Sequence, residues 1–578
     1  MKFTLGVGAC LVALAAASPT ARGSKKSPLS LVIHNDGTNG TFSSTIASDK
    51  ISMHVGQQYG TKLMYKGEDL VKNATGAYAS YAGRYFDLNY TSAAIYSETQ
   101  DMLDIGFTAK EGVVHFVLKT GLDGFYSYFV NKALGVQGEF RTLYRLDPGL
   151  FPNGRTYLKD EPLPLFSDIL SGTNVQDETW QRPDGTYITK YDWSLFMRES
   201  DFYGVYGDKF GCWLINPGKD YYNGDQLKQE LSLHRESQTN DTVLLNMLHG
   251  THFQAAFSNV IPDGKVFGPW LVYLNDGSVK DAVKRNKAEE KAWPYEWFTD
   301  SLYQSRGSIS GKLMLDTGKP AAGAAIFLGE PGRTIAQGTT FQYTTYADSK
   351  GNFKIEDVRT EQPWTIQAWS NGGEIGGVTT IFQAGNYTLT EGKNLDVGKL
   401  TWKTQGRTDI WQIGDYDRKS LGFAYGGAPY THGLVDNCPA NLTYTIGTNS
   451  AKDWCFGKSS KGTWSVVFDI ESLPSGNSSA VLSLSIAGFS GSGTAIGGSG
   501  SALEIVLNGN ALSNHATPIA SDPSLYRSGT TAGEWHYYEF VVPRSWLVAG
   551  TNKLDLTTNK TATRWRGIMW DMVKMEWS

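Results

Sequence analysis

The sequence predicts a mainly β protein built from three units. Three observations carry this: short apolar or period-two runs recur along the chain, Gly, Asn and Asp punctuate them, and aromatic residues are abundant, with 17 Trp and 30 Tyr. At 578 residues the chain exceeds a single typical core, so several domains are expected. The formal net charge of −5 argues against nucleic acid, whose phosphates need clustered cations. Mild acidity otherwise implies only solubility.

Taken in order, residues 1–17 read as a secretory signal. Lys2 supplies the positive start, Leu5 to Ala13 the apolar stretch and Ala15-Ala16-Ala17 a small-residue cleavage site. The segment is too short for a strong membrane anchor, and no other run is long enough to span a bilayer. A secreted, extracellular protein without membrane partners is expected. Eight N-x-[ST] sequons fit that route: Asn39, Asn73, Asn89, Asn240, Asn386, Asn441, Asn477 and Asn559.

Residues 28–304 alternate through LSLVIHN, KISMHV, GVVHFVLKT, FYSYFV, GCWLINP, DTVLLNML and WLVYLN. Continuous strand signal of this length predicts one large sandwich. VKDAVKRNKAEEKAW (Val279 to Trp293) has good helix formers and charge pairs at helical spacing, and predicts a helix. Residues 305–402 open with SRGSISGKLML and repeat strand and turn at the spacing of a small sandwich, without a cluster of acid/base residues. Residues 403–578 form a third unit with strands WSVVFDI, AVLSLSIAGF, ALEIVLNG, HYYEFVVP and NKLDLTTN. Its run GFSGSGTAIGGSGS lacks G-K-[ST] and reads as an inter-strand loop, not a phosphate cradle. Trp535, Tyr537, Tyr538 and Trp546 suggest that this unit captures polymer without doing chemistry.

Four Cys are present. Cys10 leaves with the signal. Cys438 and Cys455 flank a short loop and either bridge it or stay apart. Cys212, inside the apolar KFGCWLI, reads as a buried free thiol.

The chemistry is sought between Arg141 and His252. Lys190 lies among aromatics in YITKYDWS. Partial desolvation there would free a neutral amine as a base, although spacing alone favours a lysine snorkelling from a strand. His252 ends LLNMLHGTH; on a strand, His249 and His252 would face opposite sides, so a shared metal is not expected. No HExxH and no Cys/His ligand spacing occurs. Arg141 and Arg145 would share a strand face, as a carboxylate clamp or as partners in structural ion pairs. Asp192, Asp220 and Asp225 are the candidates for a carboxylate pair, which a hydrolase would need.

Several blocks in shared order resemble the rhamnogalacturonan lyases of polysaccharide lyase family 4: TKYDWS, GxWLINPG followed by KQELSLH, HGTHF, SGKL near Ser310 and IWQIGDYD near Ile410. The resemblance implies a catalytic β-supersandwich of galactose-mutarotase type, a fibronectin-III-like domain and a carbohydrate-binding-like jelly roll. It implies Lys190 as base, His252 as acid and Arg141 as the residue that meets the galacturonate carboxylate. The expected activity is that of a pectin-degrading endolyase, cleaving the rhamnose-α-1,4-galacturonate bond of rhamnogalacturonan I by β-elimination, without cofactor or metal, as a monomer. The chain departs from one fungal branch before the His, where Leu245 and Met247 stand in place of two tyrosines; either Tyr203, Tyr206, Tyr221 or Tyr222 substitutes or the subsite preference differs. A two-carboxylate glycoside hydrolase and an inactive carbohydrate-binding protein stand as rival readings.

Overall fold

The computed structural model describes residues 27–578, apart from 82–85, 136–137, 255–259, 334, 336–337, 428–430, 477, 492–494, 499, 514, 516–518, 530 and 559–564. The signal segment with Cys10, and the sequons Asn477 and Asn559, lie outside the described residues. Asn39, Asn73, Asn89, Asn386 and Asn441 are exposed, and Asn240 is half-buried.

The fold is mainly β, as expected. In the first unit a 10-stranded sheet faces a 9-stranded one. Strand Glu139–Leu146 lies between Gly76–Tyr81 and Thr242–Gly250 in the larger sheet, and both pairings are antiparallel. Period-two alternation decides what each face receives. Phe140, Tyr144 and Leu146 enter the core between the sheets, where Phe140 meets Phe129 at 4.7 Å and Tyr144 meets Phe125 at 6.1 Å between ring centroids. Arg141, Leu143 and Arg145 take the other face, beside Tyr78, Val243, Leu245 and Met247.

The outer face of the 9-stranded sheet is apolar too, and it is covered by the helix the sequence predicts. That helix spans Val279–Ala292, and the Ser278 hydroxyl caps it by accepting from the Asp281 amide. Its Ala282, with Tyr295, Phe298 and Tyr303 beyond it, packs on Tyr126, Tyr128 and Trp213.

In the second unit a 3-stranded sheet packs on a 4-stranded one. Its apolar core, including Ile309, Leu328 and Trp364, is continuous with that of the first unit. A buried clasp reinforces the junction. Asp220 accepts from Arg306 Nη1 at 3.2 Å, Arg359 Nε at 3.1 Å and the Tyr343 hydroxyl at 3.2 Å. Burial opposes the Asp220 charge, yet the two guanidiniums hold its carboxyl below the usual range.

The third unit consists of two 5-stranded sheets around its own core, with Trp454, Trp464 and Trp570 buried at the centre. Strand Gly567–Trp577 pairs with both Thr408–Gly414 and Ala480–Ser490. The predicted strand AVLSLSIAGF therefore runs on through Ser490, into the start of the Gly/Ser run that composition reads as loop. Cys438 and Cys455 form a disulfide with Cα atoms 5.7 Å apart. Cys212 is a buried free thiol, and burial pushes its pKa up to about 12. The aromatic residues expected to make a capture surface are differently used. Tyr538 is buried, Trp546 packs on the unit's core, and Trp535 and Tyr537 pack with Tyr416 and Trp369 towards the second unit.

Candidate active site

Lys190 is not on a strand. Strand Tyr187–Thr189 ends one residue earlier, and Lys190 opens a 3-10 turn, Lys190–Trp193, whose start is capped by the Thr189 hydroxyl accepting from the Tyr191 amide. The turn leaves the Lys190 side chain 20% exposed. Its ammonium lies 4.0 Å from Glu178 Oε2 and 5.4 Å from the Tyr191 ring centre. Burial lowers its pKa and Arg141 adds to that effect, against the opposing fields of Glu178, Glu236 and Asp177. A lysine held this way gives up its proton more readily than a solvated one.

His252 is not on a strand either. Strand Thr242–Gly250 ends at Gly250, whose φ of +97° turns the chain before Thr251. His249 stays on the strand, fully buried, where burial and the charges of Lys265 and Lys228 depress its pKa. The two histidines occupy separate environments because the chain turns between them, not because a strand alternates.

Beyond the turn, His252 Nδ1 lies 3.0 Å from Glu230 Oε2, which also accepts the His252 amide at 3.1 Å. Its Nε2 faces Arg141 Nη1 at 3.5 Å and Glu139 Oε1 at 3.7 Å. While Glu230 is ionised, Nδ1 carries the hydrogen and Nε2 offers a lone pair to the cleft. Burial pushes the imidazole down to about 3, with Arg141, Arg527 and Lys190 contributing and Glu139 opposing. Burial pushes Glu230 up to about 7 in spite of Lys228 at 3.4 Å.

The two arginines share one face and differ in their commitments. Arg145 is saturated: it donates to the Tyr78 hydroxyl at 3.1 Å, and its Nη2 lies 3.1 Å from Glu236 and its Nη1 3.5 Å from Asp241. That is the structural ion pair. Among the described residues, Arg141 donates to Ser80 Oγ at 3.2 Å, and its Nη1 makes longer, 3.5 Å approaches to Glu139 and to His252 Nε2. Its guanidinium is the looser of the two and the one beside His252.

Of the carboxylates considered for a hydrolase, Asp220 is spent in the clasp. Asp225 accepts from the Leu227 amide and meets Arg418 at 3.6 Å. Burial raises Asp192 to about 7, and its hydrogen bonds go to Ser528 and His432 of the third unit. They do not form a pair. The tyrosines proposed as substitutes lie elsewhere: Tyr203 donates to the Leu245 carbonyl, Tyr222 to Asn246 and Tyr206 to Asp160, while Tyr221 is fully buried in the core. Tyr78, with Tyr59 edge-on at 5.4 Å, supplies the aromatic surface on the face of Arg141.

Sequence reasoning missed Glu230, Glu139 and Glu178. Glu230 stood in view within KQELSLH, but nothing local tied it to a histidine 22 residues away.

Residues 409–575 match the family model "CBM-like: Polysaccharide lyase family 4, domain III". The family resemblance read from the motifs holds. A "Rhamnogalacturonate lyase" of Dickeya dadantii is 28% identical over 555 residues, covering 90% of this chain and 91% of that protein. A "Rhamnogalacturonate lyase B" of Emericella nidulans is 25% identical and covers 73% of this chain and 70% of its own length. For a "Probable rhamnogalacturonate lyase B" of Aspergillus niger the identity is 26%, over 54% of this chain and 49% of that protein, so the match spans about half of that relative. The similarity to the Dickeya dadantii lyase, over 90% of this chain, reaches well beyond the C-terminal unit that the family model matches.

Proposed function

We propose that this protein is a secreted rhamnogalacturonan I endolyase, cutting the rhamnose-α-1,4-galacturonate bond by β-elimination and leaving an unsaturated galacturonosyl end. The relatives' names support the coarser reading, a pectin-degrading polysaccharide lyase. The observation that carries the finer one is the convergence of Arg141, Lys190 and His252 at one end of a sheet face, with a loosely held guanidinium beside the imidazole.

The chemistry follows from charge. The C5 proton of a uronate becomes removable when a cation meets the carboxylate as negative charge develops on it. Arg141 is placed to do that, and the neutral amine of Lys190 takes the proton. The electron pair then forms the C4–C5 double bond, and the C4–O bond breaks. His252 Nε2 protonates the departing oxygen. The low pKa of His252 before substrate binds is compatible with this role, because Arg141 is one of the groups that depress it. A uronate carboxylate paired with Arg141 offsets that positive charge and brings a negative one, so substrate binding favours the imidazolium. Glu230 holds the ring through Nδ1.

Secretion is part of the same proposal. The disulfide and the exposed sequons support passage through an oxidising compartment.

The test is incubation with rhamnogalacturonan I. Near-ultraviolet absorbance should rise together with new reducing ends, since elimination conjugates a double bond with the carboxylate. Lys190→Ala should lower turnover by at least about a hundredfold. Lys190→Arg should fail similarly, because guanidinium stays protonated. Depolymerisation with flat absorbance and one water gained per cut would replace elimination by hydrolysis.

A further inference from the structure

The C-terminal unit reaches the candidate active site. Its 3-10 turn Leu525–Arg527 aims the Arg527 side chain, 20% exposed, at two segments of the catalytic unit. Arg527 Nη1 donates to the His252 backbone carbonyl at 2.9 Å. Its Nε and Nη2 donate to Asp177 Oδ2 at 2.9 and 2.6 Å, and that same oxygen accepts from the Tyr191 hydroxyl at 3.0 Å. The guanidinium also lies 4.7 Å over the Tyr191 ring. Tyr191 directly follows Lys190, and its ring is 6.3 Å from that of His252. One planar cation therefore touches the turn that carries the proposed base and the segment that carries the proposed acid.

The surroundings are built to hold it there. Tyr187, at the start of the strand leading to Lys190, packs edge-on against His432 at 5.5 Å and Trp565 at 5.0 Å, both from the C-terminal unit. Asp192, two residues after Lys190, is hydrogen-bonded by Ser528 next to Arg527.

We propose that Arg527 is a positioning residue of the cleft, fixing the Lys190–Tyr191 turn and the His252 segment in one arrangement from the C-terminal unit. This rests on the lyase reading above and assigns the C-terminal unit a part in shaping the site, beyond polymer capture. A planar guanidinium fork suits this role, because it spans a carbonyl and a carboxylate at once, and an ammonium cannot do so in the same geometry. Positional errors of about 1 Å in a catalytic group can cost about a hundredfold in rate.

The charge of Arg527 acts as well. His252 faces Glu230 on strand Gln229–Leu231, Glu139 and Arg141 on strand Glu139–Leu146, Lys190 on its turn, and Arg527. Removing one of the three cations lets the imidazolium persist to higher pH.

The test uses full-length protein acting on rhamnogalacturonan I oligosaccharides. Arg527→Gln should lower kcat about ten- to a hundredfold with little change in KM, and move the alkaline limb of the kcat profile to higher pH. Arg527→Lys keeps the charge, so its limb should stay in place while kcat falls. Added guanidinium should restore part of the kcat of Arg527→Ala. Wild-type kcat in Arg527→Gln would overturn the proposal, as would a loss that guanidinium does not relieve and that leaves the limb unmoved. Titration of the His252 imidazole by NMR is independent of the reaction: Arg527→Gln should raise its pKa, and an unchanged value also counts against the proposal. Failure of the lyase reading is distinguishable, since the wild-type enzyme itself would then form no unsaturated product.

Discussion

Burial acts in the same direction on Lys190 and His252, and their roles differ because of what else surrounds them. Both lose affinity for protons on entering the protein. In the proposed reaction this suits Lys190 to the base role, and it requires His252 to gain its proton with the substrate. Glu178 pulls against the first effect. Glu178→Gln removes a carboxylate that raises the Lys190 pKa, so the acid limb of kcat/KM should move to lower pH in a rate–pH profile. A limb that moves upward would take Lys190 out of the base role. His252→Ala should cut turnover by about a hundred- to ten-thousandfold. His249→Ala should spare most of the turnover and show its effect in thermal unfolding, because His249 is buried on its strand away from Arg141.

At the scale of the element, Gly250 governs how the cleft receives its histidine. With φ at +97°, a Cβ there would lie 2.0 Å from the Gly138 carbonyl oxygen and 2.7 Å from Glu139 Cα. Both contacts are backbone, so they cannot be relieved by a rotamer change. Gly250→Ala should cost about 1–3 kcal/mol in denaturant unfolding and reduce activity more than an equally destabilising change in the distant core of the third unit. Alternation along GEFRTLYRL was legible in the sequence, because period two places Arg141 and Arg145 on one face whatever the fold. Their different employment was not legible, since it depends on Tyr78, Glu236 and Asp241 arriving from other segments. The turns at Lys190 and His252 were read as strand or strand end because each adjoins a genuine strand, and one residue past its end the side chain takes a new direction. Nothing in SLYRSG marks Arg527, whose partners Asp177 and His252 are 350 and 275 residues away.

At the scale of the molecule, the mainly β character was legible from strand and turn spacing, but the way the sheets depend on one another was not. The second unit reads as a spacer in sequence; in the structure it shares a continuous core with the first and closes on Asp220. Asp220→Asn would leave Arg306 and Arg359 buried against a neutral group, and should cost about 3–5 kcal/mol, measured by chemical denaturation. Because the folded pKa of Asp220 is depressed, its contribution is fully present above the unfolded carboxylate pKa, about 4, and is lost as pH falls through the lower folded value. The wild-type protein should therefore lose more stability on acidification than the Asn variant. Equal slopes would remove the clasp from the account of acid sensitivity.

The strand Gly567–Trp577 has a consequence for the order of events during synthesis. It lies inside its sheet, between Thr408–Gly414 and Ala480–Ser490, so two strands made much earlier wait for it as the ribosome advances. Domains emerging from the ribosome fold largely in sequence order, and the first unit is complete in the chain about 260 residues before this strand appears. If Arg527 acts as proposed, that unit remains a loosely held precursor for this interval. Competence then arrives late, once the strand Gly567–Trp577 has closed its sheet.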